Sequence, residues 1–348
     1  MAESHLQLYA WGANSHMQTG TGLADVEQLL EPVAVPLHNI EPIDSSIIDT
    51  VLSSATDRAS SADSRATSPA DGSTLASLDG STELLPEHAS VAVTGGGGHS
   101  LLLLAGRVFS CGLNDSGQLA RPSEGAADGL FRPVDVGERV VAVSCGWDHS
   151  LLLTADGSVY SAGSNRFGQC GLDQSHKCVP DPVRLPLTGV CQVAAGLRHS
   201  AAVTVDGCLH LWGDNSRGQT GAAPDRVIWS PRRLAGASAV REVACGQRHT
   251  MLISEMDGRR RLYGLGDNSR GQVLGGQASQ KPGRLSDLSL VELPDDVTPQ
   301  RVLCGWTHTL LHCADGSVRG WGRADYGQLS LPAAAARSVK EYNPATDE

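Results

Sequence analysis

Residues 145–157, with the sequence CGWDHSLLLTADG, hold the side-chain types from which hydrolytic sites are built. Cys145 and Ser150 are candidate nucleophiles, His149 is a candidate base, and Asp148 is a candidate orienting acid. The thiol and the imidazole are also zinc ligands. Which of these chemistries is open to the segment depends on whether its residues occur once or recur along the chain.

The candidate residues recur. Histidines in five related segments are spaced 50, 50, 50 and 59 residues apart, namely His99, His149, His199, His249 and His308. A second motif alternates with the first and carries Gln118, Gln169, Gln219, Gln272 and Gln328. Because a residue that recurs at the repeat length belongs to the framework first, we predict structural roles for both sets. Each histidine is expected to hydrogen-bond within its own repeat, and each glutamine amide to satisfy turn backbone groups.

The same spacing argues against a metal site. Cys145/His149, Cys245/His249 and Cys304/His308 are similar pairs, but equivalent positions on neighbouring repeats should lie about 10 Å apart, too far to share one zinc ion. The sequence therefore predicts no metal and no cofactor.

The segments between the motifs have the pattern of short strands. A continuous apolar run follows each histidine, which indicates a strand buried on both faces. An Asp-Gly pair then follows, as at Asp156–Gly157 and Asp257–Gly258, and predicts a hairpin turn in which both residues have positive φ. Further strand candidates, such as DPVRLP, give four strands in about 50 residues, as in a β-propeller blade.

Composition limits the function. The chain has 348 residues, 40% of them hydrophobic, and a net charge of −11, which disfavours nucleic-acid binding. Its nine cysteines, an odd number scattered through strand-like segments, indicate reduced thiols in the cytoplasm or nucleus. No secretion signal is evident, and no apolar run is long enough to insert into a membrane.

The repeats also define the domain organisation. We expect the first propeller repeat at 5–44, a disordered Ser- and Ala-rich insertion at 45–90, the remaining repeats at 91–331 and a tail at 332–348. The insertion is either a neutral surface loop or a regulatory segment around Ser68–Pro69.

The two motifs, C-G-x-x-H-[ST] and [WC]-G-x-N-x-x-G-Q-L-G, resemble the repeats of the regulator of chromosome condensation superfamily. This resemblance implies a β-propeller, usually of seven blades. The order of the repeats is similar to that of an exchange-factor branch linked to secretion. It implies a guanine nucleotide exchange factor for a small GTPase, associated with secretory, exocyst-type machinery in the cytoplasm and also the nucleus, without active-site chemistry of its own.

The length of the chain bears on the blade count. About 300 residues remain outside the insertion, enough for about six blades at this repeat length. We expect either a six-bladed ring with an imperfect seam or a gap where the C-terminal blade of the relatives would lie.

Function is expected where the copies differ, in the loops before each histidine. The predicted partner-binding residues are Trp147, Asp148, Arg198, Arg248 and Trp306. Alternatively, the tryptophans fill the axial funnel as packing. A non-catalytic interaction scaffold is the alternative function. Light sensing, known for a plant member of the superfamily, is disfavoured because only two of the five loops carry tryptophan.

Overall fold

The computed structural model describes residues 9–13, 28–34, 91–221, 225–275, 283–325 and 327–329. Every regular element in these ranges is a β-strand, and all paired strands are antiparallel, which confirms the predicted all-β class. The predicted insertion at 45–90 and the tail at 332–348 lie outside the described residues. Only two strands of the predicted repeat at 5–44 are described.

The strands group into an N-terminal hairpin and five sheets. The hairpin and the first sheet contain β1 Tyr9–Ala13, β2 Gln28–Ala34, β3 Val91–Gly95, β4 His99–Leu104, β5 Arg107–Leu113 and β6 Ala127–Val134. The second and third sheets contain β7 Val140–Cys145, β8 His149–Thr154, β9 Val159–Ser164, β10 Cys178–Arg184, β11 Val190–Ala195, β12 His199–Thr204, β13 Leu209–Asp214 and β14 Val227–Arg233. The fourth and fifth sheets contain β15 Val240–Cys245, β16 His249–Met256, β17 Arg259–Asp267, β18 Arg284–Leu290, β19 Pro299–Cys304, β20 His308–Cys313 and β21 Val318–Gly322.

The sheets follow one another side by side, as blades do. Within each sheet the strands pair in chain order, so each sheet is a meander. The first strands of successive sheets, β3, β7, β11, β15 and β19, contact one another and therefore lie at the inner edge of the array. Five sheets and the hairpin give six units, as predicted, although the described part of the fifth sheet has three strands. The segment expected at the C-terminal end of the seam, after Leu329, lies outside the described residues.

The apolar core lies between neighbouring sheets. Leu151 and Leu153 of β8 pack with Val193, Ala202 and Trp212 of the third sheet in one cluster, and similar clusters fill the spaces between the other successive sheets. The strands β8 and β12 are buried along their whole length, as the continuous apolar runs predicted. Each fully buried leucine contributes about 1.5–3 kcal/mol.

The Asp-Gly turns differ from the prediction at one of the two examples. At Asp257–Gly258 both residues have positive φ, 52° and 69°. At Asp156–Gly157 only the glycine does, with φ of 80°. The aspartate there acts through its side chain, because its carboxylate accepts a hydrogen bond from Ser158 N at 3.1 Å while Gly157 N donates to Thr154 O at 3.0 Å. The pair marks the turn correctly, but the predicted conformation is wrong at Asp156.

Candidate interaction face

Both repeated motifs lie at one end of the sheets. In the second sheet β7 ends at Cys145 and β8 begins at His149, so the residues between them form a loop. Strand β9 runs parallel to β7 and ends at Ser164, directly before the N-x-x-G-Q turn. We call this end the motif end. It consists of loops 96–98, 146–148, 196–198, 246–248 and 305–307 and of turns 114–118, 165–169, 215–219 and 268–272. The opposite end, with the Asp-Gly pairs, is the turn end.

Backbone hydrogen bonds connect the loops of the motif end from sheet to sheet. Gly97 N donates to Trp147 O at 2.9 Å, and Trp147 N donates to Gly196 O at 3.3 Å. Gln247 N donates to Trp306 O at 3.0 Å. The loops therefore form a continuous backbone layer, and the side chains at these positions can vary without breaking it.

The glycine of each Gly-x-x-His loop allows this close approach. A Cβ atom at Gly146 would overlap the imidazole ring of His149 and the carbonyl oxygen of Gly196 in the next sheet. Gly96, Gly196 and Gly246 have the same surroundings in their own sheets. Contact between sheets thus requires a residue without a side chain at this position.

Four of the five histidines join neighbouring sheets, which corrects the prediction of hydrogen bonds within one repeat. His99 Nε2 lies 2.9 Å from Ser150 Oγ of the next sheet, and this hydroxyl donates to Gln118 O at 2.7 Å. Since the single hydroxyl hydrogen is used toward the carbonyl, the hydroxyl accepts from His99 Nε2–H. The same arrangement recurs as His149–Ser200–Gln169, His199–Thr250–Gln219 and His249–Thr309–Gln272. The pairing was missed because sequence shows which residues recur, not which repeats they join.

This geometry excludes the nucleophile–base interpretation of the opening segment. The hydroxyl of Ser150 contacts His99 and donates to Gln118 O, whereas His149 donates to Ser200, so His149 activates neither hydroxyl. Burial lowers the pKa of His149 to about 3, which keeps the ring neutral. Burial also raises the pKa of Cys145 to about 12, so the thiolate is disfavoured. Within the described ranges, no three His, Cys, Asp or Glu side chains are grouped to hold a metal ion.

Four of the five glutamines hold the turns in the predicted way. Gln118 Oε1 accepts from Ser116 N at 2.9 Å, and the equivalent amide oxygens of Gln169, Gln219 and Gln272 accept from Phe167 N, Arg217 N and Arg270 N. Gln328, the fifth of the set, is half-buried. The amide nitrogen of each of the first four donates to a carboxylate, from Asp115, Asp148, Asp214 and Asp267 respectively.

Asp148, one of the predicted partner-binding residues, is half-buried and hydrogen-bonds to the turn. Its Oδ1 accepts from Gln169 Nε2 at 3.0 Å, and burial raises the pKa of its carboxyl. In the turns that follow β13 and β17, the glutamine amide donates instead to Asp214 and Asp267. The equivalent residue of the second sheet is Ser164, which has no carboxylate. Asp148 supplies the missing carboxylate from the neighbouring loop. The substitution at Ser164 was the available sequence signal.

The tryptophans contact each other and remain exposed. The ring centroids of Trp147 and Trp306 are 5.0 Å apart at an interplanar angle of 65°, an edge-to-face pair. Their exposed fractions are 44% and 45%. Trp147 belongs to the second sheet and Trp306 to the fifth, so the pair spans the inner side of the array. The pair thus combines a packing contact on the inner side of the array with the exposure that the predicted partner role requires, and the partner role itself stays a prediction.

The two predicted arginines are half-buried at the same end. The guanidinium carbon of Arg198 lies 4.1 Å from the ring centroid of Phe167, a cation–π contact. The Nε atoms of Arg198 and Arg248 are buried without a hydrogen-bond partner among the described residues. Phe167 was missed from the sequence, although comparison of the N-x-x-G-Q copies shows an aromatic residue where Ser116, Arg217 and Arg270 stand.

Within the described residues no helix is long and apolar enough to cross a membrane.

Comparison with known proteins relates this architecture to a family. The profile of the RCC1-like domain matches residues 65–347. The secretion-regulating guanine nucleotide exchange factor of Mus musculus is 37% identical over 253 residues, covering 68% of this chain and 53% of the mouse protein. The ultraviolet-B receptor of Arabidopsis thaliana is 32% identical over 247 residues, covering 68% and 53%. The crystal structure of Prp20p from Saccharomyces cerevisiae has a TM-score of 0.72 at 22% identity, covering 96% of this chain and 70% of that chain.

The structural similarity to Prp20p shows the fold, an RCC1-type β-propeller. This chain spans about half the length of the curated relatives it matches. The profile covers most of the chain, and relatives above 30% identity align with two thirds of it. The chain therefore belongs to the RCC1-like domain family.

Proposed function

We propose that this protein is a guanine nucleotide exchange factor for a small GTPase, acts in the regulation of secretion, and binds its partner through the motif end. Support comes from the mouse and bovine relatives named secretion-regulating guanine nucleotide exchange factor, which are 37% and 34% identical. The observation that carries the location is the exposed Trp147–Trp306 pair on loops whose backbone is fixed from sheet to sheet.

The motif end suits this activity because exchange requires no nucleophile or base from the exchange factor. An exchange factor accelerates nucleotide release by binding the nucleotide-free GTPase more tightly than the nucleotide-bound form. Differential binding of this kind needs a rigid face with anchoring side chains. The neutral, hydrogen-bonded histidines supply rigidity, and the tryptophans supply apolar area that a partner can bury.

The test is release of fluorescent mant-GDP from a panel of small GTPases. We expect micromolar protein to accelerate release from at least one GTPase, and Trp147→Ala/Trp306→Ala to abolish the acceleration. A matched control is Val205→Ala/Met256→Ala, since these side chains at the turn end are 77% and 55% exposed. Binding to a GTPase without acceleration from any panel member would contradict exchange and establish a non-catalytic interaction scaffold instead.

We also propose that the protein acts in the cytoplasm and nucleus and meets exocyst-type secretory machinery. The names of the secretion-regulating relatives support the link to secretion, and the location and the exocyst-type partner are proposed from the resemblance of the repeats. Fractionation of cells expressing a tagged chain, followed by immunoprecipitation of exocyst subunits, tests it. Recovery only with membranes, without those subunits, would contradict it.

A further inference from the structure

Three arginines stand on the N-x-x-G-Q turns of the motif end. Arg166, Arg217 and Arg270 come from the second, third and fourth sheets, and all three are exposed. Among the described residues, no carboxylate lies within ion-pair distance of any of them. Arg198 and Arg248 add two more cations from the adjacent loops.

The carboxylates on the turns of the third and fourth sheets face inward, whereas Asp115 on the turn of the first sheet is exposed. Asp214 and Asp267 are 5% and 9% exposed, and their oxygens accept from the glutamine amides and from Ser216 and Ser269. Asp148 is held in the same way by Gln169. The surface that these turns present to a partner is therefore dominated by guanidinium groups.

The turn end carries charges of both signs. Exposed aspartates stand in its Asp-Gly pairs, and they are Asp156, Asp206, Asp257 and Asp315. Hydrogen bonds from Thr154 and Ser158 lower the pKa of Asp156, and similar bonds lower the pKa of Asp206 and Asp315. There Arg184 lies 3.7 Å from Asp156, and Arg259 and Arg261 stand beside Asp257, whereas Arg166, Arg217 and Arg270 at the motif end have no carboxylate in ion-pair distance among the described residues. In a chain of net charge −11, the motif-end turns of the second to fourth sheets are therefore a local concentration of uncompensated positive charge.

We propose that the motif end binds an acidic segment of a protein partner, with an apolar side chain of that segment on Trp147 and Trp306 and its carboxylates at Arg166, Arg217 and Arg270. This inference rests on the proposed use of the motif end for partner binding and adds the chemistry of the partner. An apolar centre with a charged rim is the general arrangement of protein interfaces, and charge complementarity selects the partner.

A protein partner fits better than a nucleic acid. The exposed indoles form an edge-to-face pair with each other, so neither ring is free to stack on a base with both faces. The chain as a whole repels polyphosphates, because its net charge is −11. The arginines stand one per sheet on separate turns and do not form one continuous stripe along a strand.

The probe is a fluorescein-labelled peptide of repeated Glu-Glu-Leu triplets, titrated with the whole protein and followed by anisotropy. A Lys-Lys-Leu peptide and an oligothymidylate of equal length are the comparison probes. We expect the acidic peptide to bind selectively, with affinity that falls as salt is raised. Arg217→Glu/Arg270→Glu should weaken binding at least about tenfold. Trp147→Phe/Trp306→Phe should remove the quenching of tryptophan emission that accompanies binding.

The matched control is Arg259→Glu/Arg261→Glu, which changes the net charge equally through exposed residues beside the turn-end pair Asp257–Gly258. Equal losses in both double variants, no selectivity between the peptides, or tighter binding of the oligothymidylate would overturn the inference. Exchange activity has a separate readout. If the protein binds the acidic peptide selectively but accelerates no nucleotide release, only the proposed function is wrong. If it accelerates release, and Arg217→Glu/Arg270→Glu leaves this acceleration unchanged while peptide binding is unselective, only the inference is wrong.

Discussion

At the residue scale, Ser200 is a junction between two sheets. Its hydroxyl accepts from His149 Nε2 at 2.9 Å and donates to Gln169 O at 2.8 Å, and the side chain is fully buried. Removing the hydroxyl would leave the buried His149 Nε2–H donor without a partner, while Gln169 O keeps the hydrogen bond from Trp212 Nε1 at 2.9 Å. The next two sheets carry threonine at this position and form the same bonds.

Ser200→Ala is expected to lower the free energy of unfolding by about 1–3 kcal/mol, because a buried polar group that loses its partner retains its desolvation cost. Ser200→Thr is the control and should cost far less, since Thr250 and Thr309 fill the equivalent sites. Urea unfolding followed by circular dichroism measures both. Equal losses in the two variants would show that the hydroxyl is not what matters.

Glu242 forms a second inter-sheet contact, and its carboxyl group is less suited to this buried site than the amide found at the equivalent position of the preceding sheet. Its Oε2 accepts from Val302 N at 3.1 Å. At the equivalent position one sheet earlier, Gln192 both accepts from Val243 N at 3.0 Å and donates to Val243 O at 3.3 Å. Burial raises the pKa of Glu242 to about 7, with Arg301 and Arg260 partly opposing the shift.

Because the folded pKa of Glu242 lies above the unfolded value of 4.5, its contribution to stability is fully present below pH 4.5 and is lost as pH rises through 7. We expect Glu242→Gln to stabilise the protein at pH 8 by on the order of 1 kcal/mol, about the net value of a hydrogen bond, and to change little at pH 5. Urea titrations at the two pH values measure this. A destabilised variant at pH 8 would refute the assignment.

At the element scale, the approach of one sheet to the next is controlled at Gly146. Gly146→Ala would push its Cβ into the His149 ring and the Gly196 carbonyl, and both are held by hydrogen bonds. We expect a loss of about 3 kcal/mol or more, typical of overpacking combined with a broken buried network. Thermal unfolding measures it, with Gly125→Ala as the control in open surroundings. Similar melting temperatures for the two variants would contradict the role.

The sequence predicts elements well where the repeat length itself carries the information. The buried strands after each histidine, the glutamine turns and the six units follow from recurrence alone. Contacts between repeats cannot be predicted from recurrence. The contact of His149 with Ser200, for example, depends on how neighbouring sheets are positioned relative to each other. Asp148 shows a second limit, because its hydrogen bond to Gln169, in the turn where Ser164 stands in place of an aspartate, is not evident from the variation of the loop position.

At the scale of the whole molecule, four histidines are kept neutral by burial. The pKa values of His99, His149, His199 and His249 are each lowered to about 3. As pH falls from 6.5 toward 3, the unfolded chain binds protons at these sites and the folded chain does not. Their contribution to the free energy of unfolding is therefore complete above pH 6.5 and declines below it. The slope of this free energy against pH corresponds to a difference of up to four bound protons between the unfolded and folded states.

We expect long-range proton–nitrogen NMR spectra of the folded protein to show four imidazoles as the neutral Nε2–H form, unchanged between pH 7.5 and pH 5. Over the same range the free energy of unfolding should decrease. Titration of any of the four buried rings near pH 6.5 in the folded state would contradict the shared arrangement.

The Trp147–Trp306 contact has a consequence for measurement. The two indoles belong to sheets separated by two others, yet their centroids are 5.0 Å apart. Their optical coupling therefore depends on the width of the inner side of the array. Coupled transitions of close indoles give a paired circular-dichroism signal that decays steeply with distance. Any ligand, partner or mutation that widens the array by a few ångströms should erase this signal. The circular-dichroism spectrum of the unlabelled protein therefore detects changes in the distance between the second and fifth sheets.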